Sequence, residues 1–302
     1  MYLKYLKIMI VTFLVLPIIV IAINYIVDPL SYIRGNKASY FSSERRLKAR
    51  LIEEGQYDGI VMGSSKATYI HPEDLNLPGT ILNASFSAAL PEEMLLFLKE
   101  KRPKVKWVAI GFDWFMFNEN TFPYVTNTSE FSKTFKDILP YLSSKDTTLY
   151  SLRTIVKKLL DNPVIYTVYG AKVSKRQEKA DMALKTYSYN SVLTGLSTTH
   201  FARYEISQRR INDVAKIQQW ADENNVLLVG WMNPYQKEVI SLLEKKLNDG
   251  LFLPSMLSKK IYKFNDLSRS YPSRELYWKE DPYHYYPSFG AQFFNKHIVP
   301  LL

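Results

Sequence analysis

Two short segments of the sequence carry residues that could act together in nucleophilic catalysis. Gly63-Ser64-Ser65 follows the apolar run 59–62, so a serine hydroxyl is expected in a turn directly after a buried strand. Near the C-terminus, Asp281 stands three residues before His284, so the carboxylate can accept from one ring nitrogen while the other faces a serine. Each segment alone also has a structural interpretation, because Gly-Ser turns are common and a histidine among aromatic residues usually packs. Together, in the order serine, aspartate, histidine, they predict a nucleophilic triad of Ser65, Asp281 and His284.

The composition argues against most other chemistries. The chain has 302 residues and no cysteine, which excludes disulfides, thiolate catalysis and cysteine-ligated metals. Its four histidines include no pair at the spacing of a zinc-binding helix, and neither a GxGxxG nor a GxxxxGK[ST] motif occurs. We therefore expect no metal and no cofactor.

The elements that must position the triad alternate between strands and helices. Apolar runs bounded by turn residues predict five strands, at 59–62, 80–82, 107–110, 226–229 and 261–264. Helices are predicted at 42–54, 91–101, 206–224 and 290–298. This alternation predicts an α/β three-layer sandwich with a mostly parallel five-stranded sheet. Ligands of such folds bind at the carboxyl ends of the strands, which is where the predicted Ser65 turn lies.

The N-terminus predicts a membrane anchor. Residues 8–27 contain no charge and 17 apolar residues, enough for a helix across a bilayer of about 30 Å. A cleaved signal peptide is the alternative, but its apolar region is usually shorter and ends at a small-residue cleavage site. Lys4 and Lys7 precede the run and Asp28 follows it. This charge pattern predicts a single-pass cell-membrane protein with a cytoplasmic N-terminus and an extracytoplasmic C-terminal domain.

The sequence thus divides into an anchor at 1–28, a juxtamembrane linker and helix at 29–56, and one domain at 57–302. Within that domain, the segment at about 118–203 interrupts the alternation of strands and helices and is interpreted as a helical insertion over the active-site face. It contains two predicted helices, at 130–142 and 147–160. This insertion could be a lid, a surface on which a partner docks, or an addition to the fold that has no role in the chemistry.

The charge of the chain indicates its partners. With 39 basic and 29 acidic residues, the formal net charge is +10. Outside a cell, such a surface suits anionic membranes or anionic wall polymers, although solubility alone would also explain it. The predicted anchor argues against a nucleic-acid partner.

At these residues the sequence resembles the SGNH (GDSL-like) hydrolase family, over 57–302 without the insertion. Gly63-Ser64-Ser65 matches the family's Gly-Asp-Ser nucleophile turn, with Ser64 in place of the aspartate, and Asp281 and His284 match its closing Asp-x-x-His. The resemblance implies an SGNH/flavodoxin-like fold. It also implies a second oxyanion donor in Asn83-Ala84-Ser85: the Ser85 N–H is the candidate, and the Asn83 side-chain amide is a further one.

One position departs from the family. The family's Gly-x-Asn-Asp block corresponds to Gly111-Phe112-Asp113-Trp114, which places Asp113 where an oxyanion-binding asparagine is expected. An ionised carboxylate cannot donate a hydrogen bond and would repel an oxyanion. Either Asp113 is protonated, or it has another role, or the oxyanion hole rests on backbone donors. If the carboxylate faces the oxyanion, asparagine at this position should raise the rate.

The anchored layout is similar to SGNH proteins that modify bacterial envelope polysaccharides and teichoic acids, including the D-alanyl-transfer protein of the dlt system. The resemblance implies a serine esterase or O-acyltransferase that acts on acyl groups, foremost acetyl, of an envelope glycan or wall polymer. A membrane-bound O-acyltransferase would be a partner. The alternative is a non-catalytic accessory protein that uses the fold to bind glycan or to dock such an acyltransferase.

Overall fold

The computed structural model of the protein describes residues 2–30, 32–33, 44–126, 130–131, 135–160, 166–173, 189–247, 252–278 and 281–302. A single sheet in the described residues has five parallel strands in the order β2-β1-β3-β4-β5. They are β1 (Gly59–Gly63), β2 (Ile81–Asn83), β3 (Trp107–Phe112), β4 (Leu227–Met232) and β5 (Lys263–Asp266). The predicted α/β fold with a five-stranded sheet is confirmed, and all described pairings are parallel rather than only most of them.

Helices precede, connect and follow the strands. They are α1 (Tyr2–Val27), α2 (Glu44–Glu54), α3 (Pro91–Lys101), α4 (Phe135–Ser143), α5 (Lys145–Leu159), α6 (Tyr189–Thr198), α7 (Gln208–Glu223), α8 (Lys237–Lys246), α9 (Leu253–Ser258) and α10 (Pro287–His297). Local sequence explains several of their ends. Pro91 begins α3 and the Glu93 carboxylate accepts from Leu90 N–H, while the Ser144 hydroxyl caps α5 by accepting from Asp146 N–H.

Alternate residues of the central strands enter two hydrophobic cores. Ile60 and Val108 face a core shared with α2, α3, α7, α8 and α9, whereas Val61 and Ala109 face a core shared with α10. A buried strand must cover both of its faces, which is why β1 and β3 are apolar throughout. Because both faces of these strands are covered, functional side chains must lie in the loops at the strand ends.

The predicted insertion leaves and rejoins the sheet at one place. Asn118 and Ile206 form an antiparallel bridge, so the residues between them begin and end side by side. The buried Arg210 guanidinium donates to the carbonyls of Asn118 and Phe122, at 2.7 Å each, and pairs with Glu92 at 3.3 Å. The described part of this segment contains α4, α5 and α6, which lie close to the predicted helices and add one at Tyr189–Thr198.

The N-terminal helix α1 runs unbroken through Pro17 and packs on α4 and α5. No helix within the described part of the chain has the length and apolar character needed to cross a membrane.

Candidate active site

The structure brings Ser65, His284 and Asp281 into one hydrogen-bonded chain. Ser65 lies in the turn after β1, and the other two residues lie in the loop before α10. The Ser65 Oγ is 2.7 Å from His284 Nε2, and His284 Nδ1 is 2.7 Å from Asp281 Oδ2. With Nδ1 protonated towards the carboxylate, Nε2 is free to accept the serine proton. Residues 219 positions apart in sequence thus meet in the order that nucleophilic catalysis needs.

The Asp281 carboxylate is held by its own loop. Its Oδ1 accepts from the N–H groups of Tyr283 and His284, at 2.8 and 3.0 Å, while Oδ2 binds the imidazole. Burial opposes ionisation, but the nearby His284 charge and these hydrogen bonds outweigh it and lower the pKa of Asp281. The carboxylate is therefore ionised at neutral pH and fixes the imidazole's orientation.

The nucleophile turn requires glycine at its first position. A Cβ on Gly63 would lie 2.7 Å from the Ala67 Cβ and 2.9 Å from the Gly111 carbonyl oxygen. Any side chain would push the turn away from β3. Gly63 thus lets the chain turn sharply enough at the end of β1 for Ser65 to face the cavity.

Asp113 lies beneath the nucleophile turn and is fully buried. Its Oδ2 accepts from the Ser64 hydroxyl and its Oδ1 from the Tyr235 hydroxyl at 2.6 Å. The carboxylate is not among the groups that line the cavity over Ser65. Asp113 therefore has another role than the oxyanion contact considered above: it ties the end of β3 to the residue before the nucleophile.

Lys66 completes this buried cluster from the other side of the nucleophile. Its Nζ is 3.5 Å from Asp113 Oδ1, donates to the Pro234 carbonyl at 3.1 Å, and lies 3.2 Å from the centroid of the Tyr235 ring. Burial lowers the pKa of Lys66 to about 8, although Asp113 opposes that shift. Both neighbours of Ser65 in the chain are thus fixed by the same carboxylate.

Asp113→Asn is expected to destabilise the fold by about 3 kcal/mol, because it leaves the Lys66 ammonium buried without its counter-charge. Urea unfolding followed by circular dichroism measures the change. Lys66→Met is the matched variant, and the double substitution should be more stable than the sum of the two losses predicts. Additive losses, or a faster enzyme with unchanged stability, would contradict this role for Asp113.

A cavity of about 440 Å³ opens over Ser65 and His284. Much of its wall is aromatic and comes from Tyr69, Phe115, Trp278 and Tyr283. Lys172 and His200, both from the insertion, also line it. A larger cleft of about 630 Å³ lies at the amino ends of the strands, and none of the predicted catalytic or oxyanion-binding residues line it.

The structure places the predicted oxyanion residues Asn83 and Ser85 inside the turn rather than at the cavity. The Ser85 N–H donates to Asn83 Oδ1 at 2.9 Å, and Asn83 Nδ2 donates to the carbonyls of Ala67 and Ile70, at 2.7 Å each. Both groups are thus already used. Asn83 and Ser85 shape the loop after β2 and have no donor left for an oxyanion.

Two other backbone groups are available at the cavity. Ser65 and Ala88 line it, and neither N–H has a hydrogen-bond partner among the described residues. Ala88 has φ +54°, a left-handed conformation that is costly for alanine and recurs at functional sites. No sequence pattern indicates this conformation, because a glycine at this position would have suggested it and an alanine does not.

A buried glutamate from α2 supports the turn that carries Ala88. Glu44 accepts from both the N–H and the hydroxyl of Ser87, and the Tyr166 hydroxyl donates to it at 2.7 Å. Lys172 lies 3.7 Å from the same carboxylate. No sequence pattern pointed to Glu44, since it begins an otherwise ordinary charged helix.

His200 enters the site from the insertion. Its ring packs edge-on against Phe115 at a centroid distance of 5.4 Å. Burial, and then the nearby His284, lower its pKa, so the imidazole is neutral at neutral pH. His200 is therefore available as a polar, uncharged contact for a ligand.

The fold and site define an α/β protein with a serine–histidine–aspartate triad at the carboxyl edge of a parallel sheet. Comparison of the chain with protein-family models and with curated proteins gave no match. Within the described residues, no cluster of three or more histidine, aspartate or glutamate side chains could hold a metal ion.

Proposed function

We propose that the protein is a serine O-acyltransferase of SGNH type that moves acyl groups, foremost acetyl, onto an envelope polysaccharide or wall polymer. The observation that carries the proposal is the continuous hydrogen-bond chain from Ser65 through His284 to Asp281. A merely structural histidine would not need both of its ring nitrogens aligned between a hydroxyl and a carboxylate at the rim of a cavity.

The chemistry follows from these atoms. The Ser65 Oγ attacks the acyl carbonyl while His284 Nε2 takes the hydroxyl proton, and Asp281 stabilises the imidazolium. The tetrahedral oxyanion is held by the N–H groups of Ser65 and Ala88. His284 then protonates the oxygen of the donor as its bond to the acyl carbon breaks. The acyl group is now an ester of Ser65. A hydroxyl of the acceptor attacks that ester while the same imidazole takes its proton. The bond between the acyl carbon and the Ser65 Oγ then breaks, and His284 returns the proton to this Oγ, which regenerates Ser65 and leaves the acyl group on the acceptor.

Transfer to a sugar is favoured over hydrolysis by what surrounds the triad. Aromatic side chains such as Trp278 and Tyr69 line the cavity but are almost fully buried, so they give it an apolar wall against which a bound sugar can lie. A bound acceptor hydroxyl reaches an effective concentration well above that of water. Lys172 at the cavity and the net charge of +10 favour an anionic acceptor polymer.

The location completes the proposal. The uncharged run at residues 8–27 supports an anchor in the cell membrane with the domain outside, where envelope polymers are accessible. The acyl donor is supplied across the membrane by a membrane-bound O-acyltransferase, as the resemblance to envelope-modification proteins implies.

Deletion of the gene is expected to lower the acyl content of an envelope polymer, measured as ester-linked acid released by mild alkali. Wild-type protein restores the content, and Ser65→Ala, expressed to the same level, does not. Ser258→Ala, on the distant helix α9, is the matched control and should restore it. Higher acylation after deletion would identify an esterase. Full restoration by Ser65→Ala would identify the non-catalytic accessory protein.

A further inference from the structure

Helix α5 of the insertion has one face on the protein and one face that no described residue covers. Its small side chains Thr147, Ser151 and Thr154 are buried. On the opposite side it exposes a row of large apolar side chains, at Leu149, Leu152, Ile155, Val156 and Leu159. At 100° per residue these five lie within an arc of about 120°, so they form one continuous stripe. Leu159 is 80% exposed, and a contiguous apolar patch of this kind marks an interaction surface, which a single exposed leucine would not.

The inner face of α5 is fixed to α1 by side-chain hydrogen bonds. Asn24 of α1 accepts from the Ser151 hydroxyl at 2.8 Å and donates to Thr148 Oγ1 at 2.9 Å. It also donates to the Leu142 carbonyl at 2.7 Å, at the end of α4. The Tyr141 hydroxyl donates to Asp28 at 2.8 Å. Because these groups are buried and paired, α5 is held beside the last turns of α1.

Helix α1 itself exposes apolar side chains next to this contact. Val15, Leu16, Ile18 and Ile19 are exposed, and so is Ile26, only two residues from the bonded Asn24. The apolar stripe of α5 and the apolar surface of α1 therefore belong to two helices in direct contact. Whatever apolar medium surrounds α1 near residue 24 also reaches α5.

The charges of α5 are arranged for an anionic surface. Arg153 and Lys157 follow the apolar stripe on one side, Lys145 and Lys158 bring the basic residues of the helix to four, and Asp146 is its single acid. A helix with an apolar face and flanking basic residues is the kind that lies in the headgroup region of a bilayer.

We propose that α5 lies in the outer headgroup region of an anionic bilayer, with its apolar stripe towards the acyl chains and Arg153 and Lys157 on lipid phosphates. This inference rests on the membrane anchoring of α1 in the proposed function, and it gives the insertion the role of fixing the domain against the membrane. A membrane-embedded protein partner is the competing occupant.

The absence of cysteine allows a direct test, because single cysteines can be introduced into the full-length chain and labelled with the environment-sensitive dye NBD. Full-length Val156→Cys is reconstituted in phosphatidylcholine vesicles containing phosphatidylglycerol. We expect blue-shifted emission and quenching by lipids that carry a nitroxide. Gln219→Cys, on the exposed face of α7, is the matched control and should stay in water.

A third label separates the two layers of the proposal. Ile19→Cys reports on α1 alone. If Ile19 is quenched by lipid and Val156 is not, the anchor stands and the inference about α5 is overturned. If neither is quenched, the anchoring in the proposed function fails as well. If the label at position 156 is in water in vesicles and becomes buried only in native membranes, the stripe binds a membrane protein and not the bilayer. This result would also overturn the inference.

The basic residues supply an independent readout. Arg153→Gln, Lys157→Gln and Lys158→Gln combined should reduce quenching of the Val156 label in phosphatidylglycerol vesicles. Each charge is expected to contribute about five-fold to the partition of the helix, by the energy of about 1 kcal/mol per basic residue at an anionic surface. In pure phosphatidylcholine the combined variant and its parent should be equal. If the combined variant and its parent are quenched equally in phosphatidylglycerol vesicles as well, these charges have no role.

Discussion

Ser65→Ala is expected to lower the turnover of a small acetyl ester by about 10⁶, the loss seen when a serine nucleophile is removed from a comparable triad. The Ser65 Oγ is the atom that is hydrogen-bonded to His284 Nε2. Its removal deletes the nucleophile and also the proton that His284 would accept. The measurement is release of a chromogenic phenol by the full-length protein in detergent. The fold should be unaffected, because the Thr68 hydroxyl bonds the Ser65 carbonyl, which alanine keeps.

Ser64→Ala is the matched control for the nucleophile. Its hydroxyl donates to Asp113 and does not contact His284, so this variant should keep measurable turnover and still be labelled by a serine-directed phosphonate. Ser65→Ala should not be labelled. Labelling of Ser64, or full turnover by Ser65→Ala, would show that the triad geometry does not carry the chemistry.

The framework of the fold could be predicted because local signals and tertiary packing agree there. The strand β1 is a short apolar run that ends at Gly63, and α3 is bracketed by Pro91 and by basic residues, so the predicted bounds of α3 match the structure. The strand β3 passes through Gly111, where the sequence predicts its end, and continues to Phe112. The strand at Lys263–Asp266 was placed two residues too early. The apolar Ile261 favours a strand that begins there, but its side chain packs in the core. The residues that pair with β4 at the edge of the sheet begin at Lys263.

The candidate site can be predicted from the sequence only at positions where the chemistry requires a particular residue type. A serine in a glycine turn and an Asp-x-x-His spacing are visible in sequence, and the structure brings these residues together. The partners of Asp113 were not visible, because Lys66 and Tyr235 meet it only through the folding of distant segments. For the same reason the sequence did not indicate that the Ser85 N–H is bonded to Asn83, or that Ala88 lines the cavity in a left-handed conformation next to Ser87 and Glu44.

Asp281→Asn is expected to lower turnover by about 10⁴ while the loop keeps its shape. The Asp281 Oδ1 accepts from Tyr283 and His284 N–H, and an asparagine oxygen can keep both bonds. The asparagine NH₂ then replaces Oδ2 and points its hydrogens at His284 Nδ1. That nitrogen becomes an acceptor, the ring proton moves to Nε2, and Nε2 can no longer take the proton of Ser65. A serine protease with the corresponding change loses this much turnover for the same reason.

The pH dependence of this variant separates the tautomer from a general loss of structure. The lowered pKa of Asp281 keeps the wild-type carboxylate ionised in more acidic solution than a free aspartate would be, so the wild-type protein keeps the correct tautomer throughout the neutral range. Asp281→Asn should show the low rate already at neutral pH, with an unchanged unfolding midpoint in urea and slow but complete phosphonate labelling of Ser65. Near-wild-type turnover would remove Asp281 from the mechanism, whereas a large drop in stability would mean that its carboxylate serves the loop rather than the tautomer of His284.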